Sequence, residues 1–305
     1  MAVIADIKTT TVVSVLSPAI LTGYIQPVYA ITSAEEFEQN HSAFKFVHDR
    51  VHESFYRLLP PKELSRLHYK IGSILKRQGE PRNWTPSYLF CVTHHLNEAR
   101  ILINDESELK SLVALNISSS SMASKGGAYQ QALAFSETGM ELLLQLTPGD
   151  AKVWDVFYSD MVPLKQAVIE CLYLLGQYEQ AKAEFELLLS NVKTTADRIK
   201  SYTVFASLLS TLGKYEEARK QHLKVLDELG ISIVDLGMSL DDKWKHFLAA
   251  IPNGSARYFK TLPIDDSDEV RNLMEENLFE LSVTAYFLQD IDMHASVLMT
   301  GLYSW

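Results

Sequence analysis

The chain has 305 residues, of which 47% are hydrophobic and 22% charged, and its formal net charge is −10. Such a length and composition suit a folded protein with a substantial core, while an acidic balance without a Lys/Arg cluster excludes a general nucleic-acid binder. Only 13 Gly and 10 Pro break the chain, so a mostly α fold is expected.

Thr9 to Ala30 carries no charge and ends in Val28-Tyr29-Ala30, the outline of a secretory signal. Its flanks argue otherwise. Lys8 is the only basic residue before it and follows Asp6, and Ser14, Ser17, Pro18, Thr22, Gly23 and Gln26 interrupt the apolar core. The same residues fit a small subdomain: a β-branched run over Thr9 to Val15, a helical turn, then a strand from Tyr24 to Tyr29. No other stretch approaches the length of a membrane span.

From Phe44 the pattern sharpens. Phe44 and Phe46 alternate with Lys45 and Val47 as in a half-buried strand, and Asp49 stands where a helix N-cap belongs. Val51, Phe55, Leu58 and Leu59 fall on one helical face, and Pro60-Pro61 stops that helix. Leu64, Leu67, Ile71 and Leu75 stripe a second helix, and the two are expected to pack as a hairpin.

This spelling, F-x-F-x-H-D-R-V, an aromatic-rich helix, Pro, then L-x-x-L-H-x-x-I-G-x-x-L, resembles the end of the ATPase module in large multidomain signalling proteins. In that family a serine/threonine kinase-like domain precedes an AAA/STAND-type ATPase and a tetratricopeptide-like helical region, often followed by a GAF sensor and a histidine kinase. Leu16 to Pro27 is similar to the family's winged-helix segment and Thr93 to Ala99 to its following helix, and the resemblance runs from about Leu16 to near Trp305. The kinase-like domain and nucleotide-binding core that it implies upstream are missing from this sequence.

Beyond Trp84 successive helices are expected. Pro86 suits a first turn, with Leu89, Val92, Leu96 and Ala99 behind it, and Asp105 with Glu108 makes a start signal for a helix bearing Leu109, Leu112 and Val113. Then a motif repeats. Gly127-x-Tyr129-x-x-Ala132, Gly176-x-Tyr178-x-x-Ala181 and Gly213-x-Tyr215-x-x-Ala218 are three copies of G-x-Y-x-x-A, offset by 49 and then 37 residues. Glycine permits a turn between paired helices, the aromatic fills the gap, and alanine lets them approach, as in tetratricopeptide-like hairpins. Leucine runs flank the copies. The longer first offset is assigned to Thr147-Pro-Gly-Asp150 and to a helix interrupted at Pro163.

After Gly230 the register loosens. Ser239 and Asp242 can start a helix through Trp244 and Phe247; Ile251-Pro-Asn-Gly254 reads as a turn; Leu262 to Asp266 precedes a long helix with Val270, Leu273, Met274 and Leu281. Met293 to Trp305 has the stripe of an unfinished helix, so a truncated array with exposed apolar surface is expected there.

A search for chemistry finds little. Gly213-Lys214 belongs to a repeat turn and not to a phosphate-binding loop, and neither kinase signatures nor a G-x-S-x-G elbow is present. His48-Asp49-Arg50 reads as a helix cap with a hydrogen-bonded histidine. His94-His95 are adjacent, so on a helix they face apart and would not chelate one ion together. Cys91 and Cys171 read as buried core thiols in a reducing cytosol, with neither disulfide nor zinc spacing, and the N-x-S/T triplets at Asn83 and Asn116 are without meaning absent secretion. Trp84, Trp154, Trp244 and Trp305 follow no cage or stacking pattern. Catalytic, cofactor-binding and metal residues are therefore expected to be none.

The expected order is a winged-helix-like remnant over 1–60, connecting helices over 61–104, tetratricopeptide-like repeats over 105–230 and a divergent, truncated continuation over 231–305. The architecture expected is an α-hairpin superhelix preceded by a small α+β segment. Its expected role is a non-catalytic, cytoplasmic protein-interaction fragment of a signalling ATPase/kinase that contacts a protein partner or neighbouring domains, with neither nucleic acid nor membrane. The alternative is the effector-sensing region of a STAND-type transcriptional regulator, and an enzyme on the helical surface is the remaining reading.

Overall fold

In a computed structural model, residues 9–27, 44–79, 84–149, 151–233, 238–250 and 269–303 are described. Of these residues 79% are helical, and the strands form one two-stranded sheet, so the chain is mostly α with a small α+β start. The turn expected at Ile251–Gly254, the segment Leu262 to Asp266, Val28 to Ala30 and Trp305 lie outside the described residues. The chain divides into two compact units, Met1–Gly127 with Ala134–Ala151, and Ala128–Leu133 with Lys152–Trp305.

In the first unit, helix α1 (Thr9–Leu21) occupies the β-branched run that reads as extended. Branching disfavours a helix only by tenths of a kcal/mol per residue, about 0.7 at most. Gly23, at φ 75°, closes α1 with bonds from its N–H to Ile20 O and from Tyr24 N–H to Ala19 O. Strands β1 (Ile25–Pro27) and β2 (Phe44–Phe46) then pair antiparallel, with Ile25 opposite Phe46.

Helix α2 (Asp49–Tyr56) starts one residue earlier than its sequence suggests. His48 is the N-cap, with extended backbone and no side-chain capping bond, and Asp49 lies in the first turn, where its charge favours the positive helix end. The expected hairpin between α2 and the next helix does not form. Helix α3 (Pro61–Gln78) pairs instead with α4 (Pro86–Glu98). Gly72 lets them close: a Cβ there would lie 2.8 Å from two side-chain carbons of the buried Leu96.

Helix α4 begins as expected at Pro86, with Thr85 Oγ1 accepting the Tyr88 N–H, and it buries Leu89, Val92 and Leu96. After a 3-10 turn (Arg100–Leu102), Asp105 caps α5 (Glu106–Lys125) by accepting the Glu108 N–H at 2.8 Å. Between α4 and α5 the core is polar. The amides of Asn97 and Asn116 exchange two bonds of 2.8 Å, and Thr93 Oγ1 meets Ser119 Oγ at 2.8 Å. Ser120 continues the line to Ser136 on helix α6 (Tyr129–Leu146) at 2.6 Å.

The second unit holds a short helix α7 (Val153–Val156), then α8 (Tyr158–Leu174), α9 (Tyr178–Asn191), α10 (Thr195–Thr211) and α11 (Tyr215–Glu228). Helices α12 (Leu240–Ala250), α13 (Glu269–Phe287) and α14 (Ile291–Tyr303) follow among its described residues. Pro163 sits inside α8 without interrupting it, contrary to its expected breaking role. Three hairpins result: α8 with α9, α10 with α11, α13 with α14. Helix α10 also contacts both α8 and α13, and α12 packs on α14.

The glycines and alanines of the repeat motif act as their spelling implies, whereas Tyr178 is 42% exposed and does not fill a gap between its helices. Gly127, Gly176 and Gly213 have φ of 76°, 79° and 73°, and Ala132, Ala181 and Ala218 are all 0% exposed. At Gly176 and Gly213 the next residue's N–H reaches back five positions, to Leu172 O and Leu209 O, and so satisfies a helix-end carbonyl. A further turn of the same form is written without glycine. Gln289, at φ 57°, donates to Tyr286 O, and Asp290 donates to Ala285 O.

Candidate functional site

The hairpins of the second unit leave one face of α10 between α8 and α13. Its outward positions, Lys200, Thr203, Val204, Ser207, Leu208 and Thr211, recur every three or four residues and form one stripe. With Glu170 of α8 on one side and Leu273 and Glu276 of α13 on the other, they line an open groove of about 390 Å³. All of these come from the first helix of a hairpin.

The floor rests on an aromatic core. Phe185 stacks on Phe205 at 4.2 Å, and Tyr173 meets Phe205 edge-on at 5.6 Å, which locks α8, α9 and α10 together. Gln166 Nε2 donates to Ser201 Oγ at 3.3 Å across α8 and α10. Lys165 and Glu184 form a largely buried ion pair that ties α8 to α9. On the other side, His222 of α11 shares a 2.7 Å bond with Asn277 of α13, and burial holds the histidine below its ordinary pKa. The groove walls are thus set on braced helices.

Its chemistry is mixed. Val204 is 41% exposed and offers an apolar contact, while Thr203 is only 4% exposed and its Oγ1 has no hydrogen-bond partner. Thr211 Oγ1 is occupied by Ser207 O at 2.9 Å. On α13, Glu276 and Glu280 stand one turn apart, and burial together with the Glu276 charge raises the Glu280 carboxyl.

No family model and no curated protein matches this chain.

The first unit holds a second cluster. His94 and His95 are adjacent as the sequence shows, but His95 turns toward α3, where its Nδ1 faces Nδ1 of His68 at 2.8 Å. The Tyr56 hydroxyl meets His68 Nε2 at 2.5 Å and so ties α2 to α3. The two facing nitrogens hold one proton between them; a second would place two N–H groups head to head. Burial, then the charges of His68 and His94, pull His95 down to about 4. His68 is also lowered, by burial, against the opposing pull of Glu98. Glu98 lies four residues, one helical turn, after His94 on α4. Among the described residues no three His, Cys, Asp or Glu side chains gather as a metal site.

The remaining candidates disperse. His48, Asp49 and Arg50 are all exposed, and the histidine side chain makes no capping bond. Cys171 is buried as expected, and burial raises its thiol to about 11, but Cys91 is exposed, because its position on α4 points away from α3 and α5. Trp84 packs beside Tyr88 at 5.5 Å. Among the described residues no helix is long and apolar enough to cross a membrane.

Proposed function

We propose that this chain is a protein-interaction module in which tetratricopeptide-like hairpins present the α8–α10–α13 groove to a segment of a partner protein or neighbouring domain. The observation that carries the reading is the groove itself: three first helices contribute one continuous lining, braced from behind by the aromatic core and by Lys165–Glu184. Helical repeats bind on the surface their first helices share, because only that surface is continuous from one hairpin to the next.

The module works in the cytoplasm as the non-catalytic helical region of a multidomain signalling ATPase/kinase protein, and the F-K-F-V-H-D-R-V spelling supports that setting. Partner binding there would bias the state of an ATPase or kinase domain. An immunoblot of source cells with an antibody to residues 178–228 tests the setting; a band no larger than this chain would sink it.

The groove is tested by substituting Val204, which is exposed and outside the core, with tryptophan. Peptides selected from a display library on the whole chain are expected to bind Val204→Trp at least about tenfold more weakly, a loss of about 1.4 kcal/mol. Circular dichroism and melting temperature should be unchanged. Selected peptides that bind both proteins equally would place the interaction elsewhere.

A further inference from the structure

Helix α13 presents one face on which Glu276, Phe279, Glu280, Val283 and Tyr286 follow at spacings of three and four, so they share an arc of about 120°. Phe279 is 64% exposed and Tyr286 60%.

Among the described residues neither glutamate has an ion-pair partner. Neighbouring Arg271 pairs with Glu275, whereas among the described residues no Lys or Arg lies within ion-pair distance of Glu276 or Glu280. Like charges four residues apart on a helix repel. Lys200 shares the groove lining with Glu276 but forms no ion pair with it. Thr203, nearly fully buried, also lines the groove, and its Oγ1 has no hydrogen-bond partner among the described residues.

We infer that the groove takes a partner segment carrying an arginine, whose guanidinium reaches from the groove at Glu276 onto the adjoining face of α13, between Glu276 and Glu280 and over the Phe279 ring. The inference rests on the groove being the binding face. A guanidinium suits the place better than an ammonium: its planar fork can donate to two carboxylates, and its weakly hydrated face stacks on an aromatic ring. Val204 and Leu273 supply the apolar flank.

The test uses the whole chain and three fluorescein-labelled peptides of equal length and apolar content, carrying arginine, glutamate or glutamine at the same positions. Anisotropy titrations are expected to show the arginine peptide binding at least about tenfold more tightly than the glutamine one, with affinity falling as salt rises. The double variant Glu276→Gln/Glu280→Gln should lose about tenfold for the arginine peptide only. Removing two charges outside the groove, with Glu63→Gln/Glu179→Gln, should change binding by less than about threefold, which separates the site from bulk attraction to an acidic protein. Tighter binding of the glutamate peptide, equal loss in both double variants, or no binding of any of the three overturns the inference. The groove reading is judged separately, by whether Val204→Trp weakens display-selected peptides of any charge.

Discussion

Gln289 shows how little a single position needs to say for a turn to form. It takes the left-handed conformation that glycine takes at Gly176 and Gly213, with the same pair of backbone bonds around it, and Asp290 then caps α14 by accepting the Met293 N–H at 3.0 Å. A side chain in that conformation costs about 1–2 kcal/mol, so Gln289→Gly is expected to raise stability by about 1 kcal/mol. The converse change, Gly213→Ala, should lower it by a similar ~1 kcal/mol. An added Cβ at Gly213 would meet nothing within 4 Å, so backbone strain alone is being measured. Thermal melts of the two variants check both signs; a stabilised alanine variant would contradict the turn geometry.

Between elements, polar pairs set the register that apolar packing alone would leave loose. The α4–α5–α6 contacts are lined by Asn97–Asn116, Thr93–Ser119 and Ser120–Ser136, all with short bonds in the interior of the first unit. Sliding one helix past the other would break these cross-helix bonds and leave the Asn97 amide without its partner. Asn116→Ala, which strands the Asn97 amide, is expected to lower stability by about 2–3 kcal/mol. Replacing both asparagines with leucine should recover part of that loss, because no buried polar group is then left over. Urea midpoints decide it: a double variant no better than the single one would mean that packing volume, not hydrogen bonding, dominates here. Within the second unit, Lys243 does similar work, bonding Asp292 at 2.8 Å and Ser296 at 3.0 Å to hold α12 on α14.

At the scale of the molecule, the buried histidines make folding depend on pH. His95 is held near 4, and His68 and His222 are also lowered, chiefly by burial, whereas an unfolded chain protonates its histidines near the ordinary value of 6.5. The folded state therefore binds fewer protons below that value. The contribution is fully present above about pH 6.5 and is lost as pH falls toward 4. Between pH 7 and pH 5, where most carboxylates are still charged, His95 alone should account for about 1–2 kcal/mol of lost stability. Urea denaturation across that interval should show the fall, and His95→Gln should flatten part of it. A stability that does not change from pH 7 to 5 would mean the His68–His95 pair accepts protons freely.

The sequence by itself determined the helices and most of their ends. Pro86, Asp105 and the three G-x-Y-x-x-A copies act within a few residues of backbone, so their spelling and their effect coincide. Where a local rule was broken, as by Gln289 in place of glycine and by His294, not alanine, five residues on, the turn was invisible in the sequence although it forms. Pairing was decided by the tertiary structure. Whether α3 meets α2 or α4 depends on the close approach that Gly72 allows to Leu96, and His68 finds His95 only because that approach occurs. The groove belongs to the same level, since Glu170, Thr203 and Glu276 are brought together by stacked hairpins and not by spacing along the chain. Local hydrogen bonds select a helix before the chain is compact, but which faces meet is settled only when apolar surface is buried, and that depends on every helix at once.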